Sequence, residues 1–434
     1  MRLVFVLLIA GALIWGYLNF VPESDTQAGE PPTVELEADW SEPLPEVVTD
    51  PEPPAPASAA AKRPELPAVA SNPFSPEARA GRTARALRVA VAEAVAHGPE
   101  NALAEALRGA EGVLEADRIA GLKAFERALS GDVGGARTAA AELVSSDAIP
   151  AGERGYLAAA LGAGSIPPLE LEPRSEVERA MAMRLHLVLA RFDQQEGRYA
   201  DSARRVGRAL RLEFDAPWAI DAASMNAWSD ELREAQRRHR WDPRGDWAGI
   251  ELVAEPGDSW IVMRQRALRE RPELDISAGL IARSNGSDLR STLRVGQRVR
   301  IPTEPVSVRI DVSERWLLYM IGDEVVDSYQ VGVGREGEET LTGDFTAGLK
   351  QKEPMFWGVS PPVPFGDPDN PLGTRWIGWR IEGEEADTSY GLHGTWEPES
   401  IGTASSEGCV RMRNENMETL FDIIPTGAQI IVRV

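Results

Sequence analysis

Residues 390–414 read YGLHGTWEPESIGTASSEGCVRMRN and hold the one cysteine of the 434-residue chain, Cys409. Sixteen positions before it stands His393, the only histidine beyond residue 240. A thiol is a weak nucleophile near neutral pH, since its unperturbed pKa is about 8.5. An imidazole nearby can help it, as a base or as an ion-pair partner. Gly408, directly before the cysteine, lets a substrate carbonyl approach backbone N–H groups that can act as an oxyanion hole. A lone cysteine also serves as a small buried hydrophobe, and the spacing alone leaves both readings open.

Working outward from this stretch, the chain before it reads as short apolar runs separated by turns. These are Val308-Arg309-Ile310-Asp311-Val312, Trp316-Leu317-Leu318-Tyr319-Met320 and Tyr329-Gln330-Val331-Gly332-Val333-Gly334, and their length and composition predict strands. Thr340-Leu341-Thr342-Gly343-Asp344-Phe345 supplies a turn, Asn370-Pro371-Leu372-Gly373 precedes the histidine, and Gly427 with Ile430-Ile431-Val432 closes a last strand. In this order, with His393-Gly394-Thr395 and Ser406 to Arg411 continuing as Met412-Arg413-Asn414, residues 306–434 resemble the L,D-transpeptidase catalytic domain.

The resemblance implies a mostly-β fold of packed, mixed sheets. It implies Cys409 as nucleophile, His393 as general base, the Gly394 carbonyl as the group orienting the imidazole, and N–H groups at Gly408 and Cys409 facing the oxyanion. The substrate it implies is a peptidoglycan stem tetrapeptide, attacked at the bond between its third residue, commonly meso-diaminopimelate, and D-alanine. A thioester would form and pass its acyl group to the amine of another stem, cross-linking the wall; no metal or organic cofactor is needed. Tyr390, Ser406, Glu407 and Arg411 are the candidates for substrate contact.

Several of these positions have two readings. Many members of the family carry histidine where this chain has Glu407. A carboxylate there tends to raise the thiol's pKa; it either helps hold the ammonium of diaminopimelate or points to solvent. Ser406 either orders the loop or takes part in the reaction, and Arg411 binds either a stem carboxylate or an internal acid. Trp357, Trp376, Trp379 and Trp396 line a lid or cleft, or pack in the core.

Upstream, residues 248–303 have a different character. Ile250-Glu251-Leu252-Val253 alternates like a strand, Pro256-Gly257-Asp258-Ser259 gives a turn and a helix cap, and two short helical patterns follow. A loop at Asn285-Gly286 then leads to a second strand ending Val299-Arg300-Ile301-Pro302. This order resembles a LysM domain, which implies a βααβ fold binding N-acetylglucosamine-containing glycan strands through Gly257, Asp258, Ser259, Trp260 and Asn285. Trp260 stands where the family usually has a modest aliphatic, and it either stacks on a sugar or fills the small core. The alternative for the whole module is a spacer without glycan affinity.

From 75 to 240 the chain is rich in Ala, Leu, Arg and Glu, with apolar residues at three- and four-residue spacing such as Leu185, Val188, Leu189 and Phe192, which predicts amphipathic helices. Gly98, Gly131, Gly164 and Gly197 fall 33 residues apart, a period that points to stacked helix pairs. Gly131-Asp132 with Ala136, and Gly197-Arg198-Tyr199 with Ala203, weakly resemble the tetratricopeptide turn and second helix. An unrelated helical bundle is the alternative; either is a scaffold on which a protein partner can dock. His97, His186 and His239 have no metal-ligand spacing and read as ordinary helix residues.

Residues 3–20, LVFVLLIAGALIWGYLNF, carry no charge and as a helix would span about 27 Å, close to a bilayer's hydrocarbon thickness. With Arg2 before them and acids after, they predict a signal anchor over 1–21, passing once through the inner, cytoplasmic membrane. The bulk of the chain would then lie outside the cytoplasm, in the cell envelope; a cleaved signal peptide is the alternative. Residues 22–77 hold 13 of the 32 prolines and cannot build a core, so 22–74 reads as an extended spacer.

The net charge is −22. Residues 22–77 contribute −10 and residues 304–434 contribute −13. Such a surplus argues against a nucleic-acid partner, which needs clustered Lys and Arg. One cysteine forbids an intrachain disulfide or a zinc ribbon. The chain therefore reads as multidomain: an α-helical domain over 75–240, a small βααβ domain over 248–303 and a mostly-β domain over 306–434. Two rival functions remain at this point, an L,D-carboxypeptidase with water as acceptor and a catalytically silent wall-binding scaffold.

Overall fold

The computed structural model describes residues 89–96 and 103–434, apart from 104–105, 109, 111–113, 163–170, 215 and 217–219. The anchor over 1–21, the spacer over 22–74, His97, Gly98 and Gly164 lie outside the described residues. Among the described residues no helix is long and apolar enough to cross a membrane.

After helical stretches at 89–96 and 106–108, the described residues form α1 (Ala116–Leu129), α2 (Val133–Ala140), α3 (Ala151–Ala160), α4 (Glu176–Gln195), α5 (Tyr199–Phe214) and α6 (Ala222–Arg238). The turns α1–α2 and α4–α5 are built on Gly131 (φ 98°) and Gly197 (φ 74°), whose left-handed backbone a glycine adopts without a Cβ penalty. Asp132 and Ser175 cap the starts of α2 and α4, accepting the N–H groups of Gly135 and Glu178.

Residues 249–302 form β1 (Gly249–Val253), α7 (Trp260–Glu270), α8 (Ala278–Ser284) and β2 (Arg298–Pro302), with β1 and β2 antiparallel. Ser259 and Ser277 cap the two helices. The module docks on the C-terminal domain: Ser277 Oγ donates to the Asp422 carbonyl at 2.8 Å, and a Cβ at Gly279 would lie 2.1 Å from the same oxygen.

The remaining strands are β3 (Val306–Asp311), β4 (Trp316–Ile321), β5 (Glu324–Gln330), β6 (Val333–Gly334), β7 (Gly343–Lys352), β8 (Arg375–Ile381), β9 (Asp387–His393), β10 (Ala404–Ser406), β11 (Val410–Arg411) and β12 (Gln429–Arg433), with α9 (Asn414–Ile423) between the last two. Eight make one mixed sheet in the order β11-β9-β8-β7-β12-β3-β4-β5, and β6 with β10 makes a separate parallel pair. Only β12–β3 and β11–β9 are parallel within the large sheet.

Every residue of β4 is buried. Trp316, Leu318 and Met320 join the core of the helical region, while Leu317, Tyr319 and Ile321 join the core shared by the βααβ module and the sheet. Alternate side chains point to opposite faces, so an unbroken apolar run marks a strand covered on both sides. The edge strand β5 is covered by α5 and α6: Gln236 donates to the Val325 carbonyl, and Ser229 and Ser328 share a buried hydroxyl bond of 2.6 Å. Pairing and cover of this kind deny an open edge to another chain.

Candidate active site

The parallel ladder between β9 and β11 sets Val410 beside Leu392 and Arg411 beside His393. That register brings Cys409, at the entry to β11, and His393, at the end of β9, to one cavity of about 450 Å³. Phe356, Val359, Asp369, Leu372, Ser389 and Tyr390 also line it. Gly408 has φ 103°, and a Cβ there would meet Tyr390 Cε1 at 2.5 Å, so the residue before Cys409 needs both the conformation and the size of glycine.

His393 is buried, and its Nδ1 lies 2.6 Å from the Gly394 carbonyl. A carbonyl only accepts, so Nδ1 carries the proton and Nε2 keeps its lone pair. Burial, with Arg411 adding to it, lowers the imidazole pKa to about 4, against the opposing pull of backbone bonds to Gly394 and Leu372. Trp376 stacks on the ring at 6.0 Å between centroids. The Cys409 thiol donates to the Ser389 carbonyl at 3.8 Å. Burial raises its pKa to about 11, partly offset by a bond to the Gly391 backbone and by Arg411. Both groups are therefore neutral at pH 7, and a preformed thiolate–imidazolium pair is not the resting state.

The other candidates, Tyr390, Ser406, Glu407 and Arg411, all line the same cavity, Tyr390 lying against Gly408. Glu407 is mostly exposed and lies 3.5 Å from Arg335. Arg411 Nη1 holds an acid of the chain itself, the exposed Glu397, through Oε2 at 2.8 Å. Ser406 braces the loop: its Oγ donates to the Cys409 carbonyl at 2.6 Å and accepts the Gly408 N–H at 3.2 Å. The Gly408 N–H, expected to face an oxyanion, is engaged here by Ser406 Oγ. Of the tryptophans, Trp379 is fully buried against Phe345, whereas Trp357 and Trp396 are 70% and 50% exposed.

In the βααβ module the polar candidates turn inward. Trp260 is buried, its Nε1 donating to Ser291 at 3.0 Å, so it fills the small core and has no face open to a sugar. Asn285 is also buried, giving Nδ2 to the carbonyls of Ile281 and Arg300 and accepting the Arg300 N–H. Asp258 pairs with Arg266 and accepts the Glu255 N–H. Ser259 caps α7 and is exposed, as is Gly257. The asparagine and tryptophan at these positions hold the module together, which the sequence pattern alone does not separate from ligand contact.

A model of the L,D-transpeptidase catalytic domain matches residues 305–432. A putative L,D-transpeptidase of Bacillus subtilis, YqjB, is 33% identical over 132 residues, 30% of this chain and 73% of that one. The chain belongs to the L,D-transpeptidase family. A second Bacillus subtilis protein, the putative L,D-transpeptidase YkuD, is 28% identical over 163 residues, covering 36% of this chain and 87% of its own. The probable L,D-transpeptidase ErfK/SrfK of Salmonella typhimurium is 32% identical over 159 residues, 32% and 48% of the two chains. Among solved structures, the catalytic domain of the Enterococcus faecium L,D-transpeptidase aligns at 20% identity over 30% of this chain and 98% of that one, with a TM-score of 0.25.

Within this L,D-transpeptidase domain the structure adds residues that the motif did not assign. Asn370 is buried and bonds the Pro354 and Val363 carbonyls and the Leu372 N–H, shaping the loop that carries Leu372 to the cavity. Asp369 lines the cavity from a loop, at no spacing that sequence inspection could tie to Cys409, and Trp376, one of the four tryptophans considered for a lid or cleft, stacks on His393 from the neighbouring strand β8. Among the described residues no group of three or more His, Cys, Asp or Glu is placed to hold a metal ion.

Proposed function

We propose that the chain is a peptidoglycan L,D-transpeptidase in which Cys409 attacks the bond between the third residue of a stem tetrapeptide and its terminal D-alanine. The observation that carries this is the 2.6 Å bond from His393 Nδ1 to the Gly394 carbonyl, in a cavity that the imidazole shares with the only thiol. With Nδ1 protonated, Nε2 takes the thiol proton as sulfur bonds to the carbonyl carbon. The Cys409 N–H stabilises the oxyanion. Collapse breaks the C–N bond, and the imidazolium gives its proton to the departing D-alanine amine. The thioester is resolved by an acceptor amine, which yields its proton to His393 and restores the thiol.

Because both groups rest neutral, proton transfer and attack are coupled. The βααβ module is read as a LysM glycan-binding unit, with Gly257 and Ser259 on its exposed loop; holding a glycan strand would raise the local concentration of the stems it carries. Residues 3–20 are read as the membrane anchor, placing this chemistry in the cell envelope.

The test is intact-protein mass spectrometry after exposure to a carbapenem, whose strained acyl group reports the same attack. One adduct on the wild-type chain and none on Cys409→Ala is expected. An unmodified wild-type chain would leave a silent wall-binding scaffold.

A further inference from the structure

Asn414, the first residue of α9, reaches from the cysteine side of the site to the histidine side. Its Nδ2 donates to the Thr395 carbonyl at 2.9 Å, and its Oδ1 accepts the Thr374 N–H at 3.1 Å. The side chain lies directly on Gly394: a Cβ there would be 2.1 Å from Asn414 Oδ1, and one at Gly373 would be 2.4 Å from it. Gly394 is thus a glycine for space, and it and Gly373 leave room for one amide.

The peptide that carries the Gly394 carbonyl is anchored on both sides. The Gly394 N–H donates to the Arg375 carbonyl at 3.1 Å, and the next carbonyl, of Thr395, is the one Asn414 holds. Two further ties connect the same chain segments: the β9–β11 ladder, and the Met412 N–H donating to the His393 carbonyl at 2.9 Å. Among these ties Asn414 supplies the one made by a side chain. A backbone carbonyl flanked by glycine has no rotamer of its own to lock it, so its direction depends on what fixes the neighbouring peptides.

We infer that Asn414 is a positioning residue that aims the Gly394 carbonyl at His393 Nδ1 and thereby keeps Nε2 free to act as base. This rests on the proposed roles of His393 and Cys409, and it adds a third residue whose amide acts through a backbone oxygen rather than on substrate. The relation generalises the orienting group found behind a catalytic base, where the wrong tautomer costs rate while the fold stays intact.

The test uses the full chain labelled with ¹⁵N-histidine, comparing wild type with Asn414→Asp, which keeps an acceptor for Thr374 but sets an oxygen against the Thr395 carbonyl. His393, assigned by its loss in His393→Gln, is expected as the Nδ1-protonated tautomer in the wild type and as a mixture in the variant. Carbapenem acylation of Cys409 should slow at least about tenfold, with the melting temperature lowered by no more than a few degrees. Should Asn414→Asp melt below the measurement temperature, Asn414→Ala carries the same comparison. A His393 that stays wholly Nδ1-protonated would overturn the inference, whether or not acylation slows. A mixed tautomer with acylation within twofold of wild type would leave Asn414 its role and overturn instead the proposed base function of His393.

Discussion

Arg233 on α6 sets its Nε 2.8 Å from Oδ1 of Asp327 on β5, 94 residues away. The same carboxylate accepts the Tyr329 hydroxyl at 2.7 Å and lies 3.4 Å from Arg283 of the βααβ module. Asp327 is 2% exposed while Arg233 is 32% exposed, so the acid is the more fully desolvated partner and the arginine remains partly screened. One buried carboxylate therefore links the helical region, the module and the edge strand of the catalytic sheet.

Removing it should loosen all three. Asp327→Ala removes the acid that Arg233 and Arg283 share, leaving Arg233 only its exposed partner Asp230, and is expected to lower stability by about 2–4 kcal/mol, below the full range for a wholly buried pair because Arg233 is partly solvated. Urea unfolding followed by near-UV circular dichroism measures it. A change under about 0.5 kcal/mol would mean that the apolar faces around β4 hold the parts together unaided.

The neutral resting pair makes a pH prediction. Protonation of His393 removes the base as pH falls through about 4, and the thiol ionises by itself only as pH rises toward about 11. Carbapenem acylation should accordingly be flat between roughly pH 5 and 9. Thiolate absorbance at 240 nm should be absent at pH 7. A thiolate signal there would show a preformed ion pair and contradict this account.

How much of this was legible in the sequence depends on how far apart the partners lie along the chain. His393, Gly394, Gly408 and Cys409 stand in short motifs whose residue types already state their chemistry. The run from Trp316 to Ile321 announced a strand, and its lack of alternation held the further message that both faces are covered, although not by what. Asp327 and Arg233 gave no signal at all, since a contact across 94 residues leaves no local pattern. Trp260 and Asn285 show the opposite failure: the motif was visible, but whether a side chain faces a ligand or its own core is decided by packing that a pattern does not encode.

Glu213 at the end of α5 is buried, with Oε2 unpartnered among the described residues. Burial raises its pKa to about 8, and Glu314 adds to the shift. The folded pKa lies above the unfolded one, so its favourable contribution is full below about pH 4.5 and is lost as pH rises toward 8. Glu213→Gln should therefore stabilise the chain at pH 8 by about 2–4 kcal/mol relative to its effect at pH 4. Thermal melts at the two pH values check the sign. An equal effect at both would place the carboxylate in contact with water.

Gly408→Ala tests the loop before the nucleophile. A non-glycine residue at φ 103° carries about 1–3 kcal/mol of backbone strain, and its Cβ meets Tyr390. Acylation of Cys409 should fall at least tenfold, and adding Tyr390→Ala should recover only part of it, because the backbone strain persists. Wild-type acylation in the single variant would show that the loop tolerates a side chain there.

The central claim is the transfer of an acyl group from Cys409 to an amine, and its most direct measurement is the product formed from purified disaccharide-tetrapeptides. Separated by liquid chromatography and mass spectrometry, the wild-type reaction should contain dimers joined through the third residues of two stems with release of D-alanine, and the Cys409→Ala reaction should contain neither. Tripeptides without dimers would make water the acceptor and the chain an L,D-carboxypeptidase, and unchanged tetrapeptide would contradict the account altogether.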